Sequence, residues 1–576
     1  MSAGEPLAKT HPRQTLSEHT QQVWEAAEAM ARALQLPPPL QEALRHAVWL
    51  HDVGKAAKGF QRMLRGEGSW GHRHELLSGA IALAVGAPEE AVLAILTHHR
   101  PLNDDAVRGA SGAGMMALNW QRHGLSRWRA LLSELEEQWQ WLNQFLQERG
   151  YPPLPDSPAD LPALRELLAR HEKTTMKRLP AERRKQLVLL RGVLIAADHL
   201  ASGHQTVPPP LPQPQWSYSW YPFQRQTAQM GGDVFVEAPT GSGKTEAAFL
   251  WALHNRRGEA RIFYVLPTQA SINAMVERLR RPGAFGERAV APVHARVLQQ
   301  EFQMRFHDEG NYQQAAQDAR ARADLYRQFY APVKVLTPFQ IIKHLFGQGY
   351  FEVGLAELQG ALLVVDEVHA YDSRVQALLE SSLRYLREEF GVRLCFMSAT
   401  FPSFLKERLR RIAPEAGEVS AYGEAVFERP RHRLRLLDLP LEECAAAIRN
   451  DLAQGKRVLV VCNRVAQAQA IYQQFADVES CRLLHSRFTY RDRGQIEREV
   501  LDENTRPQLL VATQVVEVSL DIDYDTCYTE VAPVDDLLQR FGRVNRRGKA
   551  REPAWVCVCT QYDVEQVKWV YDPERL

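Results

Sequence analysis

From Thr15 to about Ser202, apolar residues recur at three- and four-residue spacing with few β-branched runs, a pattern that predicts helices throughout. Thr15 with Glu18 reads as a capping box opening the first helix. A second is expected from about Leu40 to Lys55, and a third near Pro88 to His99, stopped by Pro101. The last, from about Glu182 to Leu200, carries Leu187, Leu190, Val193, Leu194 and Ala197 on one face. The period then fails over Val207 to Pro222, where Pro208, Pro209, Pro210, Pro212, Pro214 and Pro222 mark an interdomain linker.

Beyond the linker, short apolar runs alternate with helical segments: Val234–Glu237, Arg261–Leu266, Val333–Leu336, Ala361–Val365 and Arg393–Met397. A second series follows at Arg457–Cys462, Gln508–Ala512, Thr526–Val531 and Ala554–Cys559. Such alternation predicts parallel sheets flanked by helices, and two series predict two α/β lobes. The charged, helix-favouring stretch from Gly283 to Tyr330 is expected as a surface insertion in the first lobe. The expected architecture is therefore an all-helical domain over 1–206, a linker over 207–222, and parallel-sheet lobes over 223–428 and 429–576, with no internal repeat.

Composition narrows the partners. A chain of 576 residues is long for one core at roughly 150 residues per domain. A net charge of +1 means that any grip on phosphates comes from local clusters or oriented amides. The seven cysteines are scattered without a C-x-x-C pair, as expected of reduced, buried thiols. No secretory h-region and no run of 18 apolar residues occurs, so the expected location is the cytoplasm, with no membrane contact and no sign of an oligomer.

Candidate chemistry falls in two places. Glu237-Ala-Pro-Thr240-Gly241-Ser242-Gly243-Lys244-Thr245 follows an apolar strand and precedes a helix, the context in which successive amides cradle phosphates. Lys244 is expected to reach the β- and γ-phosphates of ATP, and Thr245 to hold Mg²⁺. Asp366 and Glu367 end the apolar run Leu362–Val365, where open α/β sheets place their ligands; the expectation is Asp366 on Mg²⁺ and Glu367 on the attacking water. In the helical region, His19, His51-Asp52, His74, His98-His99 and Asp198 form an ordered set, with Lys55 beside it. Imidazoles and carboxylates without cysteine suit Mn²⁺, Fe²⁺, Co²⁺ or Ni²⁺ rather than a structural zinc. His51 and Asp52, adjacent on a helix, point about 100° apart and can serve one ion jointly or two separately. His46, His72 and His171 read as ordinary core or surface histidines.

From Tyr221 to Gly548 the motifs resemble those of superfamily 2 helicases, which implies two RecA-like lobes. Phe223-Gln224 resembles the adenine-reading glutamine motif; Pro267-Thr268-Gln269 and Thr337-Pro338 resemble strand-contacting motifs; Ser398-Ala-Thr400 resembles the motif coupling ATP to the strand. Ala512-Thr513-Gln514-Val-Val-Glu517 with Asp521-Ile-Asp523 resembles the fifth motif, and Gln539-Arg540-Phe-Gly-Arg543-Val-Asn-Arg546 the sixth. Guanidinium groups are permanently charged, so Arg543 and Arg546 would stabilise the transferring phosphoryl when the lobes close.

With the histidine-aspartate set ahead of such a motor, the chain resembles the CRISPR-associated helicase-nuclease of type I interference, whose N-terminal domain is an HD nuclease. The resemblance implies recruitment to an R-loop by a crRNA-guided surveillance complex, nicking of the displaced strand, then ATP-driven 3′-to-5′ movement on single-stranded DNA with progressive degradation. Carried over by position, it implies one ion on His19, His51, Asp52 and Asp198, a second on Asp52, His74, His98 and His99, and Lys55 at the scissile phosphate. It departs after Arg546, where 30 residues follow and larger members carry a further domain. Two other readings stay open: a stand-alone HD phosphohydrolase-helicase in DNA repair or another defence system, and a motor whose HD domain is a metal-stabilised scaffold.

Overall fold

The computed structural model describes residues 4–99, 128–162, 180–203, 210–216, 219–299, 301–302, 312–327, 331–517, 520–548 and 550–571. Pro101, His171, Pro208 and Pro209 lie outside them. Among the described residues, no helix is long and apolar enough to cross a membrane.

A short antiparallel hairpin, β1 (Leu7–Thr10) and β2 (Arg13–Thr15), precedes the helical region. Helix α1 (Leu16–Ala33) opens on the expected box: Thr15 caps the Glu18 amide and the Glu18 carboxylate returns to the Thr15 amide. Helix α2 (Pro38–Leu50) stops five residues short of Lys55, because the chain tightens into a 3₁₀ turn over Val53–Ala56. Gly54 lets that turn lie against His74, since a Cβ there would stand 2.1 Å from the His74 carbonyl oxygen. Helices α3 (His74–Ala84), α4 (Glu89–Thr97) and α5 (Ala181–Ser202) complete the frame. Helix α5 is buried on every side from Leu187 to Ala197, so the single face expected from its sequence is only part of its contact surface.

Pro222, the last residue assigned to the linker, is instead the first residue of a helix, Pro222–Gln229, where its missing N–H matters least. The first lobe is a seven-stranded parallel sheet in the order β5-β6-β4-β7-β8-β3-β9. Its strands are β3 (Val234–Glu237), β4 (Ile262–Val265), β5 (Val290–Val293), β6 (Val333–Leu336), β7 (Leu362–Val365), β8 (Arg393–Ser398) and β9 (Gly417–Ser420). The second is a six-stranded parallel sheet, β10-β15-β14-β11-β13-β12, built from β10 (His432–Leu437), β11 (Val458–Val461), β12 (Cys481–Leu484), β13 (Leu509–Ala512), β14 (Thr526–Glu530) and β15 (Ala554–Cys559). Central runs such as Val458–Val461 and Leu362–Val365 are apolar at every position because both faces are covered.

Two expectations need correcting. The stretch from Gly283 to Tyr330 is not a surface insertion: it supplies β5, buried at all four positions, and a helix, Tyr312–Arg327, whose Ala319, Ala323 and Tyr326 are buried. Nor are the helical region and the first lobe separated by their linker. Phe235, Phe263, Val265, Leu336, Leu363 and Phe396 lie on one face of the sheet and share a continuous core, through Phe351 and Leu355, with Leu190, Val193, Leu194 and Ala197 of α5, while the alternate residues Val234, Ile262 and Tyr264 face the other way. The seam is α5 against the helix α8 (Phe351–Glu357), which follows α7 (Pro338–Leu345). Helix α6 (Lys244–Asn255) begins the nucleotide site, and α9 (Val534–Phe541) faces it from the second lobe.

Candidate metal centre and nucleotide site

His51 caps the C-terminus of α2, and its Nδ1 donates to Val48 O at 2.7 Å; His98 does the same at the end of α4, with Nδ1 on Ile95 O at 2.7 Å. A carbonyl on one ring nitrogen fixes the tautomer and leaves Nε2 as a lone pair facing inward. Asp52 stands at the centre. Its Oδ2 lies 3.4 Å from both His19 and His51 Nε2 and accepts from Lys55 Nζ at 2.6 Å, while Oδ1 lies 3.1 Å from His74 Nε2. His19 Nε2 also meets Asp198 Oδ1 at 3.1 Å.

Two groups result, each with ligand atoms within 4.8 Å of one another: His19, His51, Asp52 and Asp198, all buried, and Asp52, His74, His98 and His99, of which only His99 is exposed. Asp52 belongs to both. Nε2 of His51, His74 and His98 and Oδ1 of Asp52 are buried without a hydrogen bond, an arrangement of lone pairs that a cation satisfies and a proton donor within the described residues does not. The donor set therefore fits divalent transition ions. The carboxylates draw positive charge to this position: burial disfavours a charged His19, yet hydrogen bonds to Asp198 and Asp52 outweigh it and raise its pKa to about 9, so a cation bound there would take the place of that proton. Burial and the imidazoles of His99, His51 and His74 hold His98 well below the ordinary histidine value, so it remains a neutral ligand type. His46 pairs with Glu42 and His72 lies against Trp70; neither joins a group.

In the first lobe, the loop from Ala238 to Gly243 leaves β3 and turns into α6. Gly241 and Gly243 take left-handed φ of 74° and 89°, and a Cβ on Gly243 would collide with Gln224 Nε2 at 2.3 Å. Lys244 Nζ is buried with no hydrogen bond, 3.8 Å from Glu367 Oε1, and Ser242 Oγ is likewise buried and free, so the loop fits phosphate oxygens. Gln224 is braced against this loop, its Nε2 donating to Gly243 O at 3.0 Å and its Oε1 accepting from the Tyr221 amide at 2.9 Å. Thr240 O accepts from Arg431 at 3.1 Å.

Thr245 Oγ1 lies 3.5 Å from the Tyr264 hydroxyl, which donates to Asp366 Oδ2 at 2.7 Å. Glu367 is held at φ 49°, ψ 49°, a strained setting for a side chain of its size. Burial and the neighbouring Glu367 charge push Asp366 up to about 6. Glu367 is also buried, but Lys244, His369, Arg543 and Arg546 keep it below the usual carboxylate range.

From the second lobe, Gln539 reaches His369 at 3.0 Å. Arg543 donates to Val516 O at 2.7 Å and to Glu517 O at 2.5 Å; Arg546 pairs with Asp521 at 2.9 Å, and its carbonyl lies 3.1 Å from where a Gly241 Cβ would be. Both arginines thus line the cleft opposite the phosphate loop. Arg540, by contrast, is sealed inside the second lobe on Glu517, Thr529, Glu530, Asn463 and Tyr571.

Three residues of the nucleotide cleft escaped the sequence reading: Tyr264, His369 and Arg431. Arg431 bridges the lobes through Thr240 O and Arg546 O, and no motif spacing announces it. His369 was legible only as the end of Asp366-Glu367-Val-His369.

Comparison with known proteins gives three family matches: HD domain over 16–134, DEAD/DEAH box helicase over 221–408, and CRISPR-associated nuclease/helicase Cas3, C-terminal, over 454–549. The HD and helicase matches imply metal ions and ATP. The CRISPR-associated endonuclease/helicase Cas3 of Escherichia coli is 29% identical over 56% of this chain and 42% of its own length. Cas3 of T. fusca crystallised with AMPPNP superposes with a TM-score of 0.63 at 22% identity, covering 96% of this chain and 74% of that one. A chain of a pre-nicking CRISPR RNA-guided surveillance complex superposes at 0.53 and 22% identity, covering 96% and 73%. The chain spans about half the length of the curated relatives it matches first.

Proposed function

We propose that the chain is a member of the family of CRISPR-associated nuclease/helicases named Cas3, which its HD, helicase and Cas3 C-terminal matches support, and that it is an ATP-driven translocase on single-stranded DNA that cuts the strand in its HD module. The observation that carries this reading is Asp52, shared by two buried His/Asp groups in a chain that also holds a phosphate loop, an acid pair and facing arginines. In this reading residues 1–206 are the nuclease, 207–221 the linker, and 222–428 and 429–576 the motor lobes, the first lobe opening on the helix that begins at Pro222.

His19, His51, Asp52 and Asp198 would hold one ion and Asp52, His74, His98 and His99 the other, drawn from Mn²⁺, Fe²⁺, Co²⁺ or Ni²⁺. Ions bound there would supply an activated water and charge relief at the leaving oxygen of a phosphodiester. Lys55, whose ammonium stands 2.6 Å from Asp52, steadies the scissile phosphate, and the carbonyls of Val48 and Ile95 keep the His51 and His98 rings aligned.

In the motor, Thr240 to Thr245 cradle the phosphates of ATP, with Lys244 on the β- and γ-phosphates. Gln224 sets the adenine side, Thr245 and Asp366 hold Mg²⁺, and Glu367 orients water. Gln539, Arg543 and Arg546 close the site from the second lobe. Closure then moves the strand, 3′ to 5′. The surveillance-complex match supports recruitment of a monomer to an R-loop by a crRNA-guided partner, with endonucleolytic nicking followed by exonucleolytic degradation of invading DNA.

Asp52→Ala tests the reading. Cleavage of single-stranded DNA should fall to background while DNA-stimulated ATP hydrolysis stays within about twofold of the parent; a nuclease that survives the change removes the metal assignment.

A further inference from the structure

The seam between the HD module and the motor holds two charges that no reaction step above uses. Arg191 of α5 donates from Nη2 to Glu352 Oε1 of α8 at 3.0 Å, and neither side chain is exposed. The same guanidinium donates from Nη1 to Thr97 Oγ1, and that hydroxyl in turn donates a hydrogen bond to Leu93 O at 2.6 Å. Thr97 is the last residue of α4, directly before His98 and His99.

Taking two charges wholly out of water is expensive, and an apolar pair of similar volume packs a seam at least as well. What an apolar pair lacks is a planar fork that grips two partners at once. Helix α8 cannot drift from α5 without moving this fork, because Gly192 lies flush on it: a Cβ there would stand 2.3 Å from Glu352 O. On its other side α8 is seated on α7, the helix after Thr337-Pro338, through Gly354 against the His344 ring. A continuous run of contacts therefore joins the motor's Thr337–Leu345 segment to the end of α4.

Resting on the two-ion reading above, we propose that Arg191 is a positioning residue: anchored on the motor by Glu352, it fixes the end of α4 and with it the His98–His99 side of the metal cluster. The other ion position draws its own ligands from α1, the end of α2 and Asp198 of α5 itself, and none but the shared Asp52 from elsewhere, so loss of the Arg191–Thr97 bond falls on the position that takes His98 and His99 from the end of α4.

The test counts bound Mn²⁺ in the full chain by the electron paramagnetic resonance of the free ion. Arg191→Met with Glu352→Leu removes both charges together, and Thr97→Val removes the hydroxyl while keeping the shape; Thr97→Ser restores the hydroxyl. The parent and Thr97→Ser should bind two ions, whereas the double variant and Thr97→Val should keep one ion at parental affinity and bind the other at least tenfold more weakly. Two unchanged sites in the folded variants overturn the proposal, as does equal weakening of both, which would mark Arg191 as general packing. A parent chain that binds no Mn²⁺ overturns the two-ion reading itself, and with it this inference.

Discussion

Gln539 of the second lobe donates from Nε2 to Nε2 of His369 in the first, at 3.0 Å. The amide can only donate there, so the ring nitrogen accepts, and the other ring nitrogen, Nδ1, lies 2.7 Å from Ser398 Oγ. Ser398 in turn donates to Thr400 O. Donors and acceptors are thus matched in one direction from the arginine helix to the Ser398-Ala-Thr400 segment. Gln539→Ala should lower DNA-stimulated ATP hydrolysis about tenfold, the loss of one half-buried hydrogen bond of about 1.4 kcal/mol, with nucleotide affinity little changed. An unaltered steady-state rate would show that the lobes communicate elsewhere.

Lys244→Ala should abolish ATP hydrolysis, because its ammonium is buried at the phosphate loop with no hydrogen bond of its own, 3.8 Å from Glu367, where the phosphates would be gripped. Mn²⁺-dependent cutting of free single strands should persist. Loss of both activities in a variant that still folds would contradict two separate reaction centres.

Much of this arrangement was legible in residue order. The phosphate loop and the acid pair carry their own backbone context, and the seven histidines and aspartates fall at helix ends and faces that the apolar period already delimits. Strands β9, β10 and β12 were not legible, since Gly417–Ser420, His432–Leu437 and Cys481–Leu484 all lie at sheet edges, where partly exposed polar positions interrupt the apolar run. The seam was invisible for a different reason. Glu352 and Arg191 read as surface charges in any sequence, and only the close approach allowed by Gly192 reveals that they are sealed together.

Gly192→Ala tests that seam. A methyl group cannot enter 2.3 Å from a backbone oxygen, so α5 and α8 must part, at a cost of about 1–3 kcal/mol by analogy with overpacked cores. The melting temperature should fall by several degrees in scanning calorimetry; an unchanged transition would mean that the helices are not in contact.

Stability should also depend on pH through His344. Burial, with Lys343 and Lys334 nearby, holds this imidazole down to about 3 from an ordinary 6.5. The unfolded chain therefore binds the extra proton first, so this contribution is complete above 6.5 and is lost as pH falls toward 3. Between pH 7.5 and 5.5 the parent should lose about 1.4 kcal/mol more than His344→Gln in urea titrations. Parallel pH profiles would remove His344 as the cause.

The most direct test of the whole account is circular single-stranded DNA incubated with the purified chain and Mn²⁺, Co²⁺, Ni²⁺, Mg²⁺ or EDTA, with and without ATP. A circle has no end, so its loss requires internal cutting. The account predicts opening of the circle with transition ions in the absence of ATP, further degradation when ATP is added, and intact DNA in EDTA. Circles that stay closed under every ion would contradict it and leave the HD module a scaffold.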